Sequence, residues 1–287
     1  MKLPNILSFP DVKLRIKEAL AEDLGTKKLD ATTFALVPKN EKAKAYLVTR
    51  ETGVLAGASV AAEVFRQMDP SVKIVQKKKD GAPVKSGDVV LSITGSARAM
   101  LVAERTALNF IQRMTGIATM TRRYVEEAAN PKVMILDTRK TTPTLRTFEK
   151  YSVVCGGGTN HRYGLFDRVL IKDNHLAHWT REGGDLAGAV LAARKKHPEL
   201  LVEVEVDTVE QLKAVLPAKP DWVLLDNMPP PVLRECVRLC KGICKTEASG
   251  GVNLKTIRAI AKTGVTAISV GALTHSAPSA DLALDFI

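Results

Sequence analysis

The sequence predicts an α/β protein in two parts: a mixed α+β segment, then a run of short parallel β/α units. One observation points to parallel β/α units in the second part, a pattern that an open doubly wound sheet and a closed barrel share, and two more favour the barrel. From Leu201 onward, strand candidates recur about every 22 residues with helical patterns between them, the spacing of β-α-β units with helical crossovers. Nearly every strand candidate of this half ends in polar chemistry: Asp137, Lys172-Asp173, Glu205 and Asp207, Asp226, Glu247, then Ser269 and Gly271. In β/α barrels, catalytic side chains converge from the C-terminal ends of several strands. Finally, no Gly-x-Gly-x-x-Gly follows the first strand, so the dinucleotide fingerprint of an open doubly wound sheet is missing.

The elements follow in order. "PDVKLRIKEALAEDLG" carries Val12, Ile16, Ala19 and Leu20 on one helical face and stops at Gly25. "KAKAYLVTR" alternates as a strand, and "AGASVAAEVFRQMD" reads as a helix. "VKIVQKK" and "DGAPVKSGDVVLSITGS", with two Asp/Gly turns, read as strands of a small sheet. The stretch from Arg98 to Ala128 is helical, with a break expected near Thr115-Gly116 where propensity falls. After Pro131 the strand candidates are Lys132–Leu136, Arg168–Ile171, Leu201–Val206, Trp222–Leu225, Ile243–Thr246 and Ala267–Val270. Helical patterns between them are "DLAGAVLAARKKH", "TVEQLKAVL", "PPVLRECVRLC" and "NLKTIRAIAKTG". The helices between Pro131 and Gly164 are not legible from periodicity.

Composition narrows the partners. The chain has 287 residues, 45% hydrophobic and 25% charged, enough for a real core. No apolar run reaches the ~20 residues that span a bilayer, and the N-terminus lacks a signal-peptide pattern. Cys155, Cys236, Cys240 and Cys244 fit a reducing compartment, and the expected location is cytoplasmic. The net charge of +11 implies an anionic partner. Aromatic content is only 5%, with no basic run interleaved with aromatics, so a small polyanion fits better than nucleic acid.

The cations concentrate in "ILDTRKTTPTLRTFEKYSVVCGGGTNHRYGLFDRVLIKDNH". It holds Arg139, Lys140, Arg146, Lys150, Arg162, Arg168 and Lys172, with His161 and His175, between two strand candidates. The last two strand ends are rich in glycine, "EASGGVN" and "SVGALTHS", as loops that hold phosphate on backbone N–H groups commonly are. His175 and His178 form a His-x-x-His pair without a matched third ligand, which argues against zinc.

These segments, with "AERTALNFIQRMTGIAT", "VEVEVD" and "WVLLDNM", resemble the quinolinate phosphoribosyltransferase family, also called nicotinate-nucleotide pyrophosphorylase (carboxylating), over nearly the whole chain. The resemblance implies an N-terminal α/β sandwich domain over residues 1–116. An incomplete α/β barrel of six or seven strands follows over 117–275, and a tail, 276–287, returns to the first domain. It implies transfer of phosphoribose from phosphoribosyl pyrophosphate to quinolinate, with Mg²⁺, releasing pyrophosphate and carbon dioxide and leaving nicotinate mononucleotide for NAD biosynthesis. A related group linked to molybdate-transport operons is the close alternative, and a basic nucleic-acid-binding protein the distant one. The intact "TRK", "NHR" and "KDNH" set favours the first reading. Thr144 departs from the family pattern, which has glycine there.

By the same resemblance, Arg105, Thr138, Arg139, His161, Arg162 and Lys172 bind quinolinate. Two adjacent carboxylates call for several cations, and the arginine fork suits carboxylate. Phosphoribosyl pyrophosphate falls to Lys140, Asp173, Glu205, Asp226, Ser249, Gly250, Ser269, Gly271 and His275. Glu205 and Asp226 are the expected Mg²⁺ ligands, since Mg²⁺ takes one or two protein carboxylates plus substrate oxygens and water. The expected catalytic set is Lys140, Lys172, Glu205 and Asp226. Arg105 lies in the helix before the barrel and is expected to serve the neighbouring subunit of a homodimer.

Overall fold

The computed structural model describes residues 3–287. The chain divides into two compact units. The first comprises residues up to Arg122, with Thr141–Gly157 and Leu273–Ile287; the second comprises Arg123–Lys140 and Gly158–Ala272.

In the first unit, β1 (Lys42–Thr49), β3 (Lys73–Gln76) and β5 (Val89–Ser96) join the C-terminal strand Leu282–Phe286 in a four-stranded antiparallel sheet. Its order is C-terminal strand, β1, β5, β3. β2 (Gly53–Val54) and β4 (Pro83–Val84) form a separate short pair. Leu47, Leu91 and Ile93 turn one sheet face into a core shared with Val12, Ile16 and Leu20 of the helix Pro10–Leu24 and with Val60, Val64 and Phe65 of Ala58–Met68. Each such buried side chain contributes about 1.5–3 kcal/mol of transfer free energy.

The helix Ala97–Ala128 runs without the expected break at Thr115-Gly116. The propensity argument missed why glycine is there. A Cβ at Gly116 would collide with the Pro278 carbonyl oxygen, so the residue allows backbone to pack against helix. A helix at Arg146–Cys155 was not legible because its buried residues include Glu149 and Lys150, which hide the apolar period.

In the second unit, six parallel strands are β6 (Met134–Leu136), β7 (Val169–Ile171), β8 (Val202–Val206), β9 (Trp222–Asp226), β10 (Lys245–Ser249) and β11 (Ala267–Ser269). Their order is β6-β11-β10-β9-β8-β7. From β7 to β11 chain neighbours are sheet neighbours, and the last strand pairs with the first. That is the order of a β/α barrel, open only between β6 and β7. A doubly wound sheet would reverse its order part-way. The segment at Thr159 lies along the free edge of β6: its N–H donates to the Ile135 carbonyl at 2.8 Å and its carbonyl accepts from the Asp137 N–H at 3.2 Å.

β10 begins two residues later than the expected Ile243–Thr246. The N–H groups of Ile243 and Cys244 both donate to the Cys240 carbonyl, closing the preceding helix, and only then is the backbone released to the sheet. The helix expected across "NLKTIRAIAKTG" is confined to Ile257–Ala261, because Asn253 organises a turn before it.

Candidate active site

Register decides which strand residues share a face. Directly paired residues of parallel strands project to the same side, and alternate residues to opposite sides. Glu203 lies beside Leu170 and Trp222, and Trp222 beside Lys245. One layer on, Glu205 lies beside Leu224, which pairs with Glu247; Ala267 and Met134 continue the layer. Nearer the strand ends, Asp226 pairs with Ser249 and Ser269 with Leu136. Val202, Val204 and Val206 occupy the opposite face and are buried. One face of the sheet therefore gathers the carboxylates of Glu203, Glu205, Glu247 and Asp226 and the Ser249 and Ser269 hydroxyls among apolar neighbours, while the valines of β8 lie on the other.

Lys172 follows β7, and its ammonium sits 3.5 Å from the Glu205 carboxylate. Burial raises the pKa of Glu205, and the carboxylates of Asp226 and Asp173 raise it further against the pull of Lys172. Four of the expected residues, Lys172, Asp173, Glu205 and Asp226, thus form one electrostatic group. Asn227 anchors it: its side-chain amide donates to Asp226 at 2.6 Å, and its backbone N–H donates to the Ser249 carbonyl at 2.9 Å. The Asn227 side chain packs so closely on Gly250 that a Cβ there would collide with it, and Gly250 also holds a left-handed φ of +87°.

The cations come from the two loops that follow β6 and precede β7. Arg139 and Lys140 are exposed just past β6, where the Lys140 N–H donates to the Thr138 hydroxyl at 3.1 Å. Arg162 is half-buried. Burial first, and then the like charge of Arg139, lowers its pKa, so the two guanidiniums lie within electrostatic reach. Asp137 and Asp167 serve the backbone of this loop. Asp137 accepts the His161 N–H at 2.9 Å, and Asp167 accepts those of Tyr163 and Gly164.

Beneath these groups His161, expected to bind quinolinate, meets two glutamates that the sequence reading left without a role. The His161 side chain is 6% exposed, and its Nε2 lies 3.1 Å from Glu203 Oε2 and 3.2 Å from Glu247 Oε2. Arg168 reaches the same Glu203 oxygen at 3.1 Å and stacks over Trp222. Burial acts to lower the His161 pKa, but hydrogen bonds and charge from the two glutamates push it up to about 9. Glu247 is raised by burial and by Glu203, while the bonds and charges of His161 and Arg168 hold Glu203 down against its own burial. Among the described residues, His161, Glu203 and Glu247 alone bring three possible ligand atoms within 4.8 Å of one another. An imidazole nitrogen suits Mg²⁺ poorly, because that ion takes oxygen ligands and keeps its waters. The signal that could have found these glutamates was topological. Parallel sheets are covered on both faces, so a glutamate inside such a strand is buried.

Ser269 is buried on the same sheet face, its hydroxyl 3.5 Å from the Ala248 carbonyl. Gly271 follows β11 by two residues. Arg105 and His275 belong to the first unit. Arg105 is exposed on the helix Ala97–Ala128, and His275 Nδ1 bonds the Ser276 hydroxyl at 2.6 Å.

Residues 30–115 match the family description "Quinolinate phosphoribosyl transferase, N-terminal domain", and residues 117–285 match its C-terminal domain. The chain belongs to this family. It is 43% identical to the nicotinate-nucleotide pyrophosphorylase [carboxylating] of Mycobacterium leprae, covering 96% of this chain and 98% of that protein. It is 40% identical to the probable enzyme of that name from Bacillus subtilis, covering 96% and 93%. The solved nicotinate-nucleotide pyrophosphorylase from Francisella tularensis superposes with a TM-score of 0.90 at 38% identity over both whole chains. NadC from Streptococcus pyogenes gives 0.90 at 39% identity, covering 96% of this chain and 97% of that one.

Proposed function

We propose that this chain transfers phosphoribose from phosphoribosyl pyrophosphate to quinolinate, giving nicotinate mononucleotide, pyrophosphate and carbon dioxide, the reaction of its family in NAD biosynthesis. The observation that supports the site assignment is the gathering of cations on the loops after β6 and before β7, with exposed Arg139 within electrostatic reach of half-buried Arg162. Neighbouring like charges favour an anion, and quinolinate is a pyridine with two adjacent carboxylates. Lys172 adds a third cation, and the Thr138 hydroxyl a donor. On this reading Arg105 completes the site from the partner of a homodimer. Mixing Arg105→Ala with Lys140→Ala subunits, each inactive alone, then restores activity in the mixed dimer. Verified subunit exchange without recovery would remove the shared site.

The reaction needs no protein nucleophile. The pyridine nitrogen attacks C1 of the ribose as the bond to pyrophosphate breaks, through an oxocarbenium-like state as in glycoside hydrolysis. Arg139 and Arg162 fix the ring by its carboxylates, so that the nitrogen meets C1 in line. Lys140, a flexible point charge, follows the departing pyrophosphate. The ring nitrogen becomes cationic on transfer and stabilises the electron pair left on the adjacent ring carbon when its carboxylate departs as carbon dioxide; that carbon then takes up a proton from solvent, and the nitrogen stays cationic in the product. Ser249, Gly250, Ser269 and Gly271 cradle the 5′-phosphate. Asp173, Glu205 and Asp226 face the ribose hydroxyls and the metal.

Glu205 and Asp226 fit Mg²⁺. Both are half-buried carboxylates on adjacent strands, and their mutual repulsion, with that of Asp173, is relieved by a cation. Bound Mg²⁺ supplies positive charge to the pyrophosphate oxygens. Among the described residues, no helix is long and apolar enough to cross a membrane. The four free thiols support a reducing, cytoplasmic setting.

The test is mass spectrometry of the protein with quinolinate, phosphoribosyl pyrophosphate and Mg²⁺. Nicotinate mononucleotide and carbon dioxide should appear in equal amounts, and chelation of the metal should stop both. Product without carbon dioxide, or product from nicotinate at a comparable rate, would overturn the assignment.

A further inference from the structure

Cys236, Cys240 and Cys244 recur at every fourth residue, and the proposed reaction uses none of them. Their surroundings differ. Cys236 is buried, and its thiol donates to the Met228 thioether sulfur at 3.6 Å. Cys240, the last residue of the helix Pro230–Cys240, is also buried, whereas Cys244 is partly exposed just before β10. The Cys240 thiol is hydrogen-bonded to the Cys244 sulfur. We propose that Cys240 and Cys244 form a dithiol site that peroxide closes to an intrachain disulfide, with Cys244 as the thiol that reacts first.

The backbone brings the pair together. After Cys240 the chain turns through Lys241 (φ −57°, ψ 119°) and Gly242 (φ +78°), a type II turn that needs glycine at its second central position. The N–H groups of Ile243 and Cys244 then both donate to the Cys240 carbonyl, at 2.9 and 3.2 Å. A bond from residue i+4 back to residue i holds the two α-carbons ~6 Å apart, within the span of roughly 4.4–6.8 Å that disulfides bridge. The hydrogen bond between the sulfurs divides their roles. Cys240 donates, which with burial pushes its own pKa up, and the same bond holds the Cys244 pKa down against burial. The thiolate is the nucleophile, so the accessible sulfur is also the activated one. In the first step the Cys244 thiolate attacks a peroxide oxygen and the O–O bond breaks. Cys244 becomes a sulfenic acid, and the departing hydroxide takes up the proton that the thiol had lost. In the second step Cys240 attacks the Cys244 sulfur, its proton leaves with the sulfenic hydroxyl as water, and the S–S bond forms. The two electrons given up by the thiols reduce one peroxide to two waters. The pair sits where β10 begins, whereas Ser249 of the proposed phosphate cradle sits where it ends. Closure therefore protects a thiol and leaves turnover alone: it halts oxidation of Cys244 at a stage that thiols reverse, short of the sulfinic acid.

The sequence makes the test direct. Trypsin cuts after Arg238, Lys241 and Lys245, so Cys240 and Cys244 leave on separate peptides, Leu239–Lys241 and Gly242–Lys245, and Cys236 on a third. The full chain is treated with hydrogen peroxide, unfolded in N-ethylmaleimide to block the remaining thiols, and digested without reductant for mass spectrometry. The two peptides should appear as one linked species, lighter than their sum by two hydrogens and separated by dithiothreitol, with Cys236 blocked. Linkage through Cys236, or recovery of Cys240 and Cys244 on unlinked peptides, would overturn the proposal. In Cys240→Ala, Cys244 has no partner and should accumulate as sulfinic acid that dithiothreitol does not restore. The same yield of sulfinic acid with and without Cys240 would overturn the protective role. Should Cys240→Ala fail to fold, Cys244→Ser decides: Cys240 should stay a thiol under the same treatment, and its oxidation would show that Cys244 is not where peroxide enters. Turnover of the linked chain should match that of the reduced one. A loss that dithiothreitol reverses, absent from Cys244→Ser, would make the pair an inhibitory switch and overturn its protective role. Absence of any turnover on quinolinate is a different failure, that of the proposed reaction, and the peptide map decides the thiol chemistry regardless.

Discussion

β5 of the antiparallel sheet and β8 of the parallel sheet carry the same alternation and put it to opposite use. In β5, Leu91 and Ile93 are buried in the core while Ser92 and Thr94 turn away from it. In β8, Val202, Val204 and Val206 are buried, and so is Glu203, at 0% exposure. Period-two alternation means half-exposed only where one face of the sheet meets water. In the barrel the polar face turns inward, and its carboxylates remain there because His161, Arg168 and Lys172 meet them. An apolar core gains stability from each side chain buried, whereas buried charge is held in place only by partners. The core of the first unit gains stability from burial, and the inward face of the second carries the groups proposed to bind substrate, so substitutions in the two should separate.

The largest expected effect tests the binding side. On the proposed site, Arg162→Ala leaves a quinolinate carboxylate facing Arg139 without its second fork. A desolvated charge without its partner costs about 3–5 kcal/mol, a loss on the order of 10²–10³ in kcat/KM for quinolinate. Steady-state kinetics should show the loss without any gain of activity on nicotinate, and the denaturation midpoint should stay near that of the unmutated protein. A large fall in stability with little change in kinetics would erase the contrast between the two sheets.

The converse is Ile93→Ala, which should cost about 2–5 kcal/mol of stability. The fraction that remains folded should keep its quinolinate KM. Denaturant unfolding followed by circular dichroism measures the first, and kinetics below the unfolding range the second.

Much of this was legible from residues alone. The cations stood out because they interrupt apolar runs at strand ends, and Asp226 because it closes "WVLLD". The parallel β/α units followed from strand spacing, which reflects how much chain a crossover helix needs, and the barrel from the polar strand ends and the missing dinucleotide fingerprint. Glu203 and Glu247 were missed as site residues because a one-dimensional pattern cannot tell an inward polar face from a solvated one. The helix Arg146–Cys155 was missed for a related reason: its buried Glu149 is satisfied by Arg113 and by the Thr142 backbone and hydroxyl, contacts far from local periodicity.

A smaller effect separates the two carboxylate groups of the parallel sheet. Glu205→Gln and Asp226→Asn should raise the Mg²⁺ concentration for half-maximal activity by ~10-fold, about 1.4 kcal/mol, since each removes one charged oxygen ligand. Their effect on quinolinate affinity should be minor, because the guanidiniums proposed to face it lie on other loops. Titration of activity with Mg²⁺ and equilibrium binding of quinolinate give the two numbers. A metal response left unchanged by both would move the metal elsewhere.

The smallest effect belongs to Thr144, where the family pattern has glycine. Its φ is +67°, in the left-handed region that a β-branched side chain adopts at a cost. It is held there between Pro143 and the helix that starts at Arg146. The Thr142 N–H and hydroxyl both donate to Glu149, which pins the loop at its start. Thr144→Gly removes the steric cost of about 1–2 kcal/mol but adds freedom to the unfolded chain, worth about 0.5–1 kcal/mol in the other direction. The net gain should be about 0.5–1 kcal/mol, seen as a small rise in the denaturation midpoint. Thr144→Ala separates the two contributions, because alanine keeps a Cβ in the left-handed region while losing the branch. Its midpoint should fall between that of the unmutated protein and that of the Thr144→Gly variant. A midpoint lowered by the glycine substitution would mean that entropy outweighs strain at this turn, and the threonine would then be the stabilising choice.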